Sequence, residues 1–235
     1  MIEFVLVNLI LLIGACLQGL LGFGLGFFSA PLLFLLAPHY VPGPMILNAL
    51  LLTLLMSIRN HRALEWRQTS FALTGGSVGV VAAALLMSSL AVAQYRMLFG
   101  TLMILAVLLS LIGAHPKLSA RNNLIAGILS GFMGTTTSAG GAPMGLLYQH
   151  APIPLRNAHL SLFFLYINIF GMVVLWLGGM SGKADLWLFV QSIPALLLGW
   201  GLSDIVGRRI NGRHLRPMIL LVAFAAGLMS LLQSS

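Results

Sequence analysis

Eight long apolar runs take up most of this 235-residue chain and limit what it can fold into. Most of them approach the ~20 residues that a helix needs to cross a bilayer. Charged residues make up 7% of the chain, whereas soluble domains carry about 25%. The pattern predicts an all-α polytopic membrane protein surrounded by the lipid bilayer. The runs cover residues 4–36, 44–58, 71–90, 97–112, 124–148, 160–177, 187–206 and 218–232.

Two of the runs contain glycine-rich segments, GLLGFGLGFFSAP at 19–31 and GFMGTTTSAGGAP at 131–143. Each glycine costs a helix about 1 kcal/mol relative to alanine, so both segments predict a break. The letters match at an offset of 112, since 134 minus 22 gives 112, and this places Gly22 on Gly134 and Pro31 on Pro143. Glycine- and proline-interrupted apolar segments at matching places in two halves indicate a transporter's binding site.

The internal similarity continues towards the end of the chain. Arg96 and Arg216 are separated by 120 residues (216 minus 96), and so are Gly79 and Gly199. These matches predict two transmembrane repeats, 1–113 and 121–235, within one integral membrane domain. The second repeat gains eight residues near 178–183. Internal repeats of this kind are typical of secondary transporters.

The basic residues favour one topology over another. If all eight runs crossed the membrane once, the 12 Lys and Arg residues would divide six against six. If the two glycine-broken runs are re-entrant hairpins, ten share one side and only Arg96 and Lys183 are opposite. The positive-inside rule then places the ten in the cytoplasm. We therefore predict inverted repeats, each a glycine-broken re-entrant hairpin followed by three transmembrane helices, with both termini outside. A full crossing by residues 4–21 followed by a short broken return remains an alternative.

The two breaks predict an anion site. Half-helices are expected to begin near 29–31 and 142–143, where proline suits a first turn. A helix start exposes free N–H groups and a partial positive charge, and two starts facing one cavity can bind an anion without a basic side chain. The predicted substrate-binding residues are glycines that allow close approach, hydroxyls that donate hydrogen bonds and one phenylalanine: Gly22, Phe23, Gly24, Gly26, Ser29, Gly134, Thr135, Thr136, Thr137, Ser138, Gly140 and Gly141.

Other polar residues at membrane depth are candidates for lining the same cavity. They are Gln18, Asn48, His159, Tyr166 and Asn168. A structural interpretation stays open beside the functional one: the glycines would serve tight helix packing, and the hydroxyls would bond to their own preceding carbonyls. The small-residue faces at 75–79 and 199–207 are compatible with internal packing and with a homodimer alike.

The acidic residues are few and lie away from the predicted core. Three of the four, Glu3, Glu65 and Asp185, fall in loops or at the terminus, and Asp204 stands four residues before Arg208, which predicts an ion pair. No core carboxylate is thus expected to carry a proton or sodium. A membrane potential drives a monoanion outward by about 2.3 kcal/mol per 100 mV. The sequence therefore favours export or facilitated diffusion of an anion.

Several other function classes are disfavoured. The net charge of +8 is spread over short loops, which is typical of membrane topology rather than nucleic-acid binding. An intramembrane enzyme or haem protein would need facing histidines or a carboxylate–metal cluster, so no enzyme activity, metal or cofactor is expected. An assembly subunit without a ligand would need packing faces but no matched polar breaks.

Three stretches resemble the TauE/SafE family of membrane permeases, the sulfite exporter or toluenesulfonate uptake family. They are LQGLLGFGLGFFSAPLL, GILSGFMGTTTSAGGAPMGLLY and GLSDIVGRRINGRHLRPMILL. The resemblance implies transport of sulfite or of organosulfonates such as sulfoacetate, mostly export, across a bacterial inner membrane. With the anion site above, it predicts a secondary transporter that binds its anion between two half-helix N-termini. The alternatives are an anion channel and a proton-coupled uptake permease for another small organic anion.

Overall fold

The computed structural model describes residues 1–22, 24–60, 66–112, 116–207 and 212–233, and this part of the chain folds into helices without any strand. A π-helical turn, Leu25–Ser29, leads into the second helix, and a short 3₁₀ turn, Pro38–Tyr40, follows it. The helices are α1 (Ile2–Leu21), α2 (Ala30–Leu36), α3 (Gly43–Asn60), α4 (Trp66–Met87), α5 (Val92–Leu111), α6 (Ala120–Thr137), α7 (Gly141–Tyr148), α8 (Ile153–Leu177), α9 (Lys183–Gly207) and α10 (Gly212–Leu232).

Six helices in the described residues are long and apolar enough to cross a bilayer, and the chain is a multi-pass membrane protein. They are α1, α5, α8 and α9 over their full length, α4 from Thr69 and α10 from Leu215. The set includes α1 and leaves out the shorter α3, so the alternative in which the first helix crosses completely stays open.

Both glycine-broken segments double back on themselves. Helix α1 ends at Gly22, whose φ of 79° lies in the left-handed region that glycine adopts without strain. The chain then returns, and the His39 ring nitrogen lies 3.6 Å from the Glu3 carboxylate near the start of α1. Helix α6 ends at Ser138, and the Tyr148 hydroxyl at the end of α7 donates to the Asn123 side chain at 2.7 Å. We call residues 2–36 hairpin 1 and residues 120–148 hairpin 2.

The return helix of hairpin 1 has two parts. Its α-helical part, α2, begins at Ala30, within the predicted 29–31, and the π-helical turn runs directly into it, so the helical path already starts at Leu25. Pro31 has no N–H to donate to the turn before it, and the Ala30 N–H bonds five residues back, to the Leu25 carbonyl, as in a π-type turn. The return helix of hairpin 2 begins at Gly141, one residue before the predicted position.

The long arm of each hairpin packs on a helix from the other half of the chain. Helix α1 packs on α9, and α6 packs on α4. Gly199 of α9 faces the Leu12 carbonyl and Gly79 of α4 faces the Ile128 carbonyl, and a Cβ at either glycine would overlap the facing oxygen. Glycines at helix interfaces let backbones approach closely. The small-residue faces at these positions therefore serve internal packing.

The two glycine contacts and their partners recur at similar spacings along the chain. Gly79 and Gly199 are 120 residues apart (199 minus 79), and their partners Leu12 and Ile128 are 116 apart (128 minus 12). The helix ends at Gly22 and Ser138 are also 116 apart (138 minus 22), and both are left-handed. This spacing differs by four residues from the offset of 112 that places Gly22 on Gly134 and Pro31 on Pro143. The correspondence of the two halves stays a prediction.

Candidate functional site

The tips of the two hairpins meet and enclose a small cavity, which we call the tip cavity. Gly26 faces the Ser138 carbonyl so closely that a Cβ would overlap it. The cavity has a volume of about 60 Å³, several times the ~10–15 Å³ that one water requires. Its lining comes from both hairpins and from α3 and α8: Gln18, Gly22, Gly24, Leu25, Gly26, Phe27, Ala49, Thr53, Gly134, Ser138, Ala139, Gly140, Gly141, Phe164, Ile167 and Asn168.

The polar groups of the tip cavity are neutral. The Ser138 hydroxyl is buried and has no hydrogen-bond partner within the described part of the chain. Gln18 fixes the bend of hairpin 1, because its Oε1 accepts from the Leu25 N–H and its Nε2 donates to the Gly22 carbonyl, both at 3.2 Å. Asn168 Nδ2 donates to the Thr53 hydroxyl at 3.3 Å. None of the described lining residues carries a charge.

Two helix starts contribute backbone dipoles to the same cavity. The return helix of hairpin 1 begins at Leu25 after Gly24, and α7 begins at Gly141 after Gly140. All four of these residues line the tip cavity. The N–H groups at a helix start have no partner within the helix, and the start carries a partial positive charge. The Leu25 N–H already donates to Gln18 and the Met144 N–H to the Ser130 hydroxyl at 3.1 Å. The two starts therefore contribute mainly their dipoles, beside the Ser138 hydroxyl and without a basic side chain in the described lining.

A larger cavity, which we call the vestibule, adjoins the tip cavity. It has a volume of about 150 Å³ and shares with the tip cavity Gln18, Gly22, Phe27, Thr53, Gly141 and Phe164. Arg156 and Arg216 also line the vestibule. The Arg216 guanidinium donates to the Ser110 carbonyl at 2.7 Å. No acidic residue is among the described lining residues, so the two guanidinium groups attract anions towards this entrance.

A family model with the description Sulfite exporter TauE/SafE matches residues 6–230. The chain belongs to the TauE/SafE sulfite exporter family. The match spans nearly the whole chain and confirms the resemblance seen in the glycine-rich motifs. As a member of this family, the chain is a membrane transporter of sulfur anions. Neither a curated protein nor a solved structure is similar enough to match it.

The structure does not bring four predicted binding hydroxyls of this TauE/SafE chain to the tip cavity. The Thr136 hydroxyl donates to the Phe132 carbonyl at 2.8 Å, and the Thr137 hydroxyl to the Met133 carbonyl at 2.7 Å. The Ser29 hydroxyl donates to the Ile10 carbonyl of α1 at 3.0 Å. The Thr135 hydroxyl is directed towards Gly171 of α8. The structural interpretation, that the hydroxyls bond to their own preceding carbonyls, holds for Thr136 and Thr137 but not for Ser29, whose partner belongs to another helix. Phe23 lies outside the described residues.

Three of the five cavity-lining candidates also lie elsewhere. His159 is buried, with its Nδ1 2.9 Å from the Thr69 hydroxyl and its ring stacked on Tyr148. The Tyr166 hydroxyl lies 2.8 Å from the Ser77 hydroxyl. Asn48 is buried in α3 but does not line the tip cavity. Of this group, only Gln18 and Asn168 take the positions that the sequence suggested.

The two vestibule arginines of this TauE/SafE protein do not stand out in the sequence. The apolar runs begin at residues 160 and 218, which predicts Arg156 and Arg216 as loop residues that only set topology. The helices begin earlier, at Ile153 and Gly212, so both arginines lie on helices. For Arg156, the signal in the sequence was the proline at 154, because proline is common in the first turn of a helix.

Asp204 pairs with a different arginine from the one predicted. Its carboxylate lies 3.2 Å from the Arg59 guanidinium, and both side chains are more than half exposed. Arg208, the predicted partner, lies outside the described residues. Over the described ranges, no carboxylate lines either the tip cavity or the vestibule, and no group of three or more His, Cys, Asp or Glu residues could hold a metal ion.

Proposed function

We propose that this chain is a secondary transporter that exports a small sulfur oxyanion or organosulfonate, such as sulfite or sulfoacetate, across a bacterial inner membrane. The anion binds in the tip cavity, between the starts of the two return helices. The observation that carries this proposal is the buried Ser138 hydroxyl, which has no partner in the described residues and lies where the two hairpin tips meet. Buried polar groups normally have a hydrogen-bond partner, and an anion would supply one.

Neutral donors suit a carrier better than a fixed cation does. A hydrogen bond to a charged group contributes about 1.5–3 kcal/mol, so a few donors can hold an oxyanion for a short time. A basic side chain in the same small cavity would bind the anion more tightly and slow its release. The charged groups stand further out, where Arg156 and Arg216 line the vestibule. They raise the local anion concentration without holding the anion at the site.

The proposed direction follows from the electrostatics of the described residues. In the predicted topology, Arg156 and Arg216 are on the cytoplasmic side, so the vestibule receives anions from the cytoplasm. An interior-negative potential drives a monoanion outward by about 2.3 kcal/mol per 100 mV. No carboxylate among the described lining residues is available to couple the movement to a proton or sodium. Outward movement of an anion needs no such coupling.

The reciprocal packing of the hairpins supports a carrier built from the repeats 1–113 and 121–235. In inverted-repeat transporters, one repeat rocks against the other around a binding site at the midplane. Here each hairpin packs on a helix of the opposite half. Each hairpin therefore moves together with a helix of the other repeat, and such coupling would open one side of the tip cavity while it closes the other.

Flux from proteoliposomes tests the proposal. Vesicles containing the purified protein and radiolabelled sulfite are given an interior-negative potential with potassium and valinomycin. We expect saturable efflux that the potential accelerates and that unlabelled sulfite on the outside stimulates by counterflow. Protein-free vesicles and vesicles loaded with labelled acetate serve as controls. Absence of sulfite flux would refute the proposal, efflux without counterflow would indicate a channel, and accumulation driven only by a proton gradient would indicate coupled uptake.

A further inference from the structure

A third cavity lies on the side of the protein, between the end of α5 and the beginning of α10. We call it the lateral groove, and its volume is about 640 Å³. Apart from Ser110, Gln149 and Arg216, the lining is entirely apolar. The full lining consists of Val107, Leu108, Ser110, Leu111, Ile112, Gln149, Arg216, Pro217, Leu220, Leu221 and Phe224.

The apolar walls of the lateral groove face away from the protein interior. Leu111 is 66% exposed and Leu221 is 68% exposed, although both belong to helices that are long and apolar enough to span a bilayer. Apolar side chains exposed on a membrane-spanning helix contact lipid. The groove is therefore open to the acyl chains of the surrounding bilayer.

The lateral groove ends at a basic residue. Arg216 carries five N–H donors, and within the described part of the chain one of them donates to the Ser110 carbonyl at 2.7 Å. In the sequence, three more arginines, at 208, 209 and 213, shortly precede Arg216, and Lys117 and Arg121 follow α5. An apolar groove with a guanidinium at one end is complementary to a molecule with an apolar chain and an anionic head.

We propose that the lateral groove binds an anionic phospholipid of the bilayer. One acyl chain lies along Leu108, Leu111 and Leu221, and the headgroup phosphate accepts hydrogen bonds from Arg216. Basic pockets between transmembrane helices on the cytoplasmic side recognise anionic headgroups, and arginine matches the geometry of phosphate better than lysine does. The groove adjoins the vestibule, since Ser110, Gln149 and Arg216 line both. The phosphate meets Arg216 from the bilayer side, and Arg216 does not line the tip cavity.

Native mass spectrometry of the full-length protein tests this inference. The protein is released from mild detergent after incubation with equal amounts of phosphatidylglycerol and phosphatidylcholine. We expect the wild type to retain phosphatidylglycerol about tenfold more than phosphatidylcholine, and Arg216→Gln to lose this preference. Arg216→Lys should keep part of it. Arg156→Gln is the matched control, because Arg156 lines the vestibule but not the groove, and it should retain the lipid as the wild type does.

A second variant keeps the test valid if Arg216→Gln does not fold. Leu221→Trp fills the groove without changing its charge, and the exposed position tolerates a larger side chain. We expect it to lower phosphatidylglycerol retention. The proposal is overturned if the wild type shows no preference, if Arg216→Gln or Leu221→Trp retains as much phosphatidylglycerol as the wild type, or if Arg156→Gln loses it. Displacement of the lipid by glycerol phosphate would also overturn it, because the occupant would then be a soluble phosphate.

Discussion

Ser138 differs from Thr136 and Thr137 because of where helix α6 ends, whereas the Thr135 hydroxyl is also buried without a partner in the described residues but faces α8. Inside a helix, a threonine hydroxyl reaches the carbonyl three or four residues earlier, and Thr136 and Thr137 do this. Ser138 has a φ of 59°, in the left-handed region, so its side chain leaves the helical path. The sequence correctly predicted that four polar residues, 135–138, lie at a break in the helix. It could not tell which of their hydroxyls lies beyond the end of the helix, because helix ends are uncertain by one or two residues.

At the scale of single residues, replacing Ser138 by glycine should weaken anion binding without harming the fold. Glycine adopts the left-handed conformation without strain, so the variant removes only the hydroxyl. We expect the Kd for sulfite to rise about tenfold, since a hydrogen bond to a charged group is worth about 1.5–3 kcal/mol. Isothermal titration calorimetry on the detergent-solubilised protein measures this change.

Thr136→Val is the matched control for this experiment. It removes a hydroxyl two residues away that bonds to its own helix and does not line the tip cavity. Its Kd for sulfite should equal that of the wild type. If Thr136→Val weakens sulfite binding as much as Ser138→Gly does, the row of threonines predicted from the sequence forms the site and the tip-cavity assignment is wrong.

At the scale of elements, the sequence predicted that both breaks exist but not how they correspond. Glycine content indicated the breaks because each glycine weakens a helix. The offset between the two segments came from matching their residue letters, and glycine-rich apolar segments can be aligned with each other at several offsets. The match at 112 aligned Pro31 with Pro143, whereas the left-handed helix ends at Gly22 and Ser138 correspond at 116. The letters and the backbone conformation thus give offsets that differ by four residues, because letters encode backbone conformation only weakly.

The bend of hairpin 1 should depend on the backbone conformation of Gly22. A side chain there meets no neighbouring atom, yet its φ of 79° disfavours residues with a Cβ. The left-handed conformation costs roughly 1–2 kcal/mol, so Gly22→Val should lower the free energy of unfolding by at least that amount. Gly22→Asn should cost less, since asparagine tolerates this region. Thermal unfolding in detergent compares the two, and equal losses would contradict the assigned conformation.

The contact between α1 and α9 should depend on Gly199 and not on its neighbour Gly201. A Cβ at Gly199 would overlap the Leu12 carbonyl, whereas a Cβ at Gly201 would meet nothing within 4 Å. Overpacking typically costs 1–3 kcal/mol, so Gly199→Ala should lower the unfolding temperature. Gly201→Ala should leave it unchanged or raise it, because alanine favours helix. The same melting assay measures both variants, and a reversed order would show that the two helices pack differently.

At the scale of the whole molecule, the lengths of the apolar runs were sufficient to predict an all-helical membrane protein, while the topology inferred from charge stays a prediction. All eight apolar runs correspond to helices, and the two glycine-broken runs became hairpins. The cavities could not be predicted in the same way, because they depend on which helix faces meet. Arg156 and Arg216 were interpreted as topology signals alone for this reason. The structure shows that they also line the vestibule.

The predicted orientation can be tested with single cysteines in a variant whose only native cysteine, Cys16, is replaced by alanine. Ser89 is exposed in the connection between α4 and α5, and Leu118 is exposed in the connection before α6. In the predicted topology these connections lie on opposite sides of the membrane. A membrane-impermeant maleimide should label Ser89→Cys in intact spheroplasts and Leu118→Cys only after permeabilisation. The opposite labelling would reverse the orientation, and with it the proposed cytoplasmic access of the vestibule.

The location of the bound anion tests the central claim most directly. Selenite is a pyramidal oxyanion like sulfite and is also negatively charged. Selenium scatters X-rays anomalously, so its position can be located directly. Crystals of the protein soaked in selenite should show one strong anomalous peak between the Ser138 hydroxyl and the helix starts at Leu25 and Gly141. A peak confined to the arginines of the vestibule, or no peak inside the protein at a selenite concentration that inhibits sulfite flux, would contradict the account.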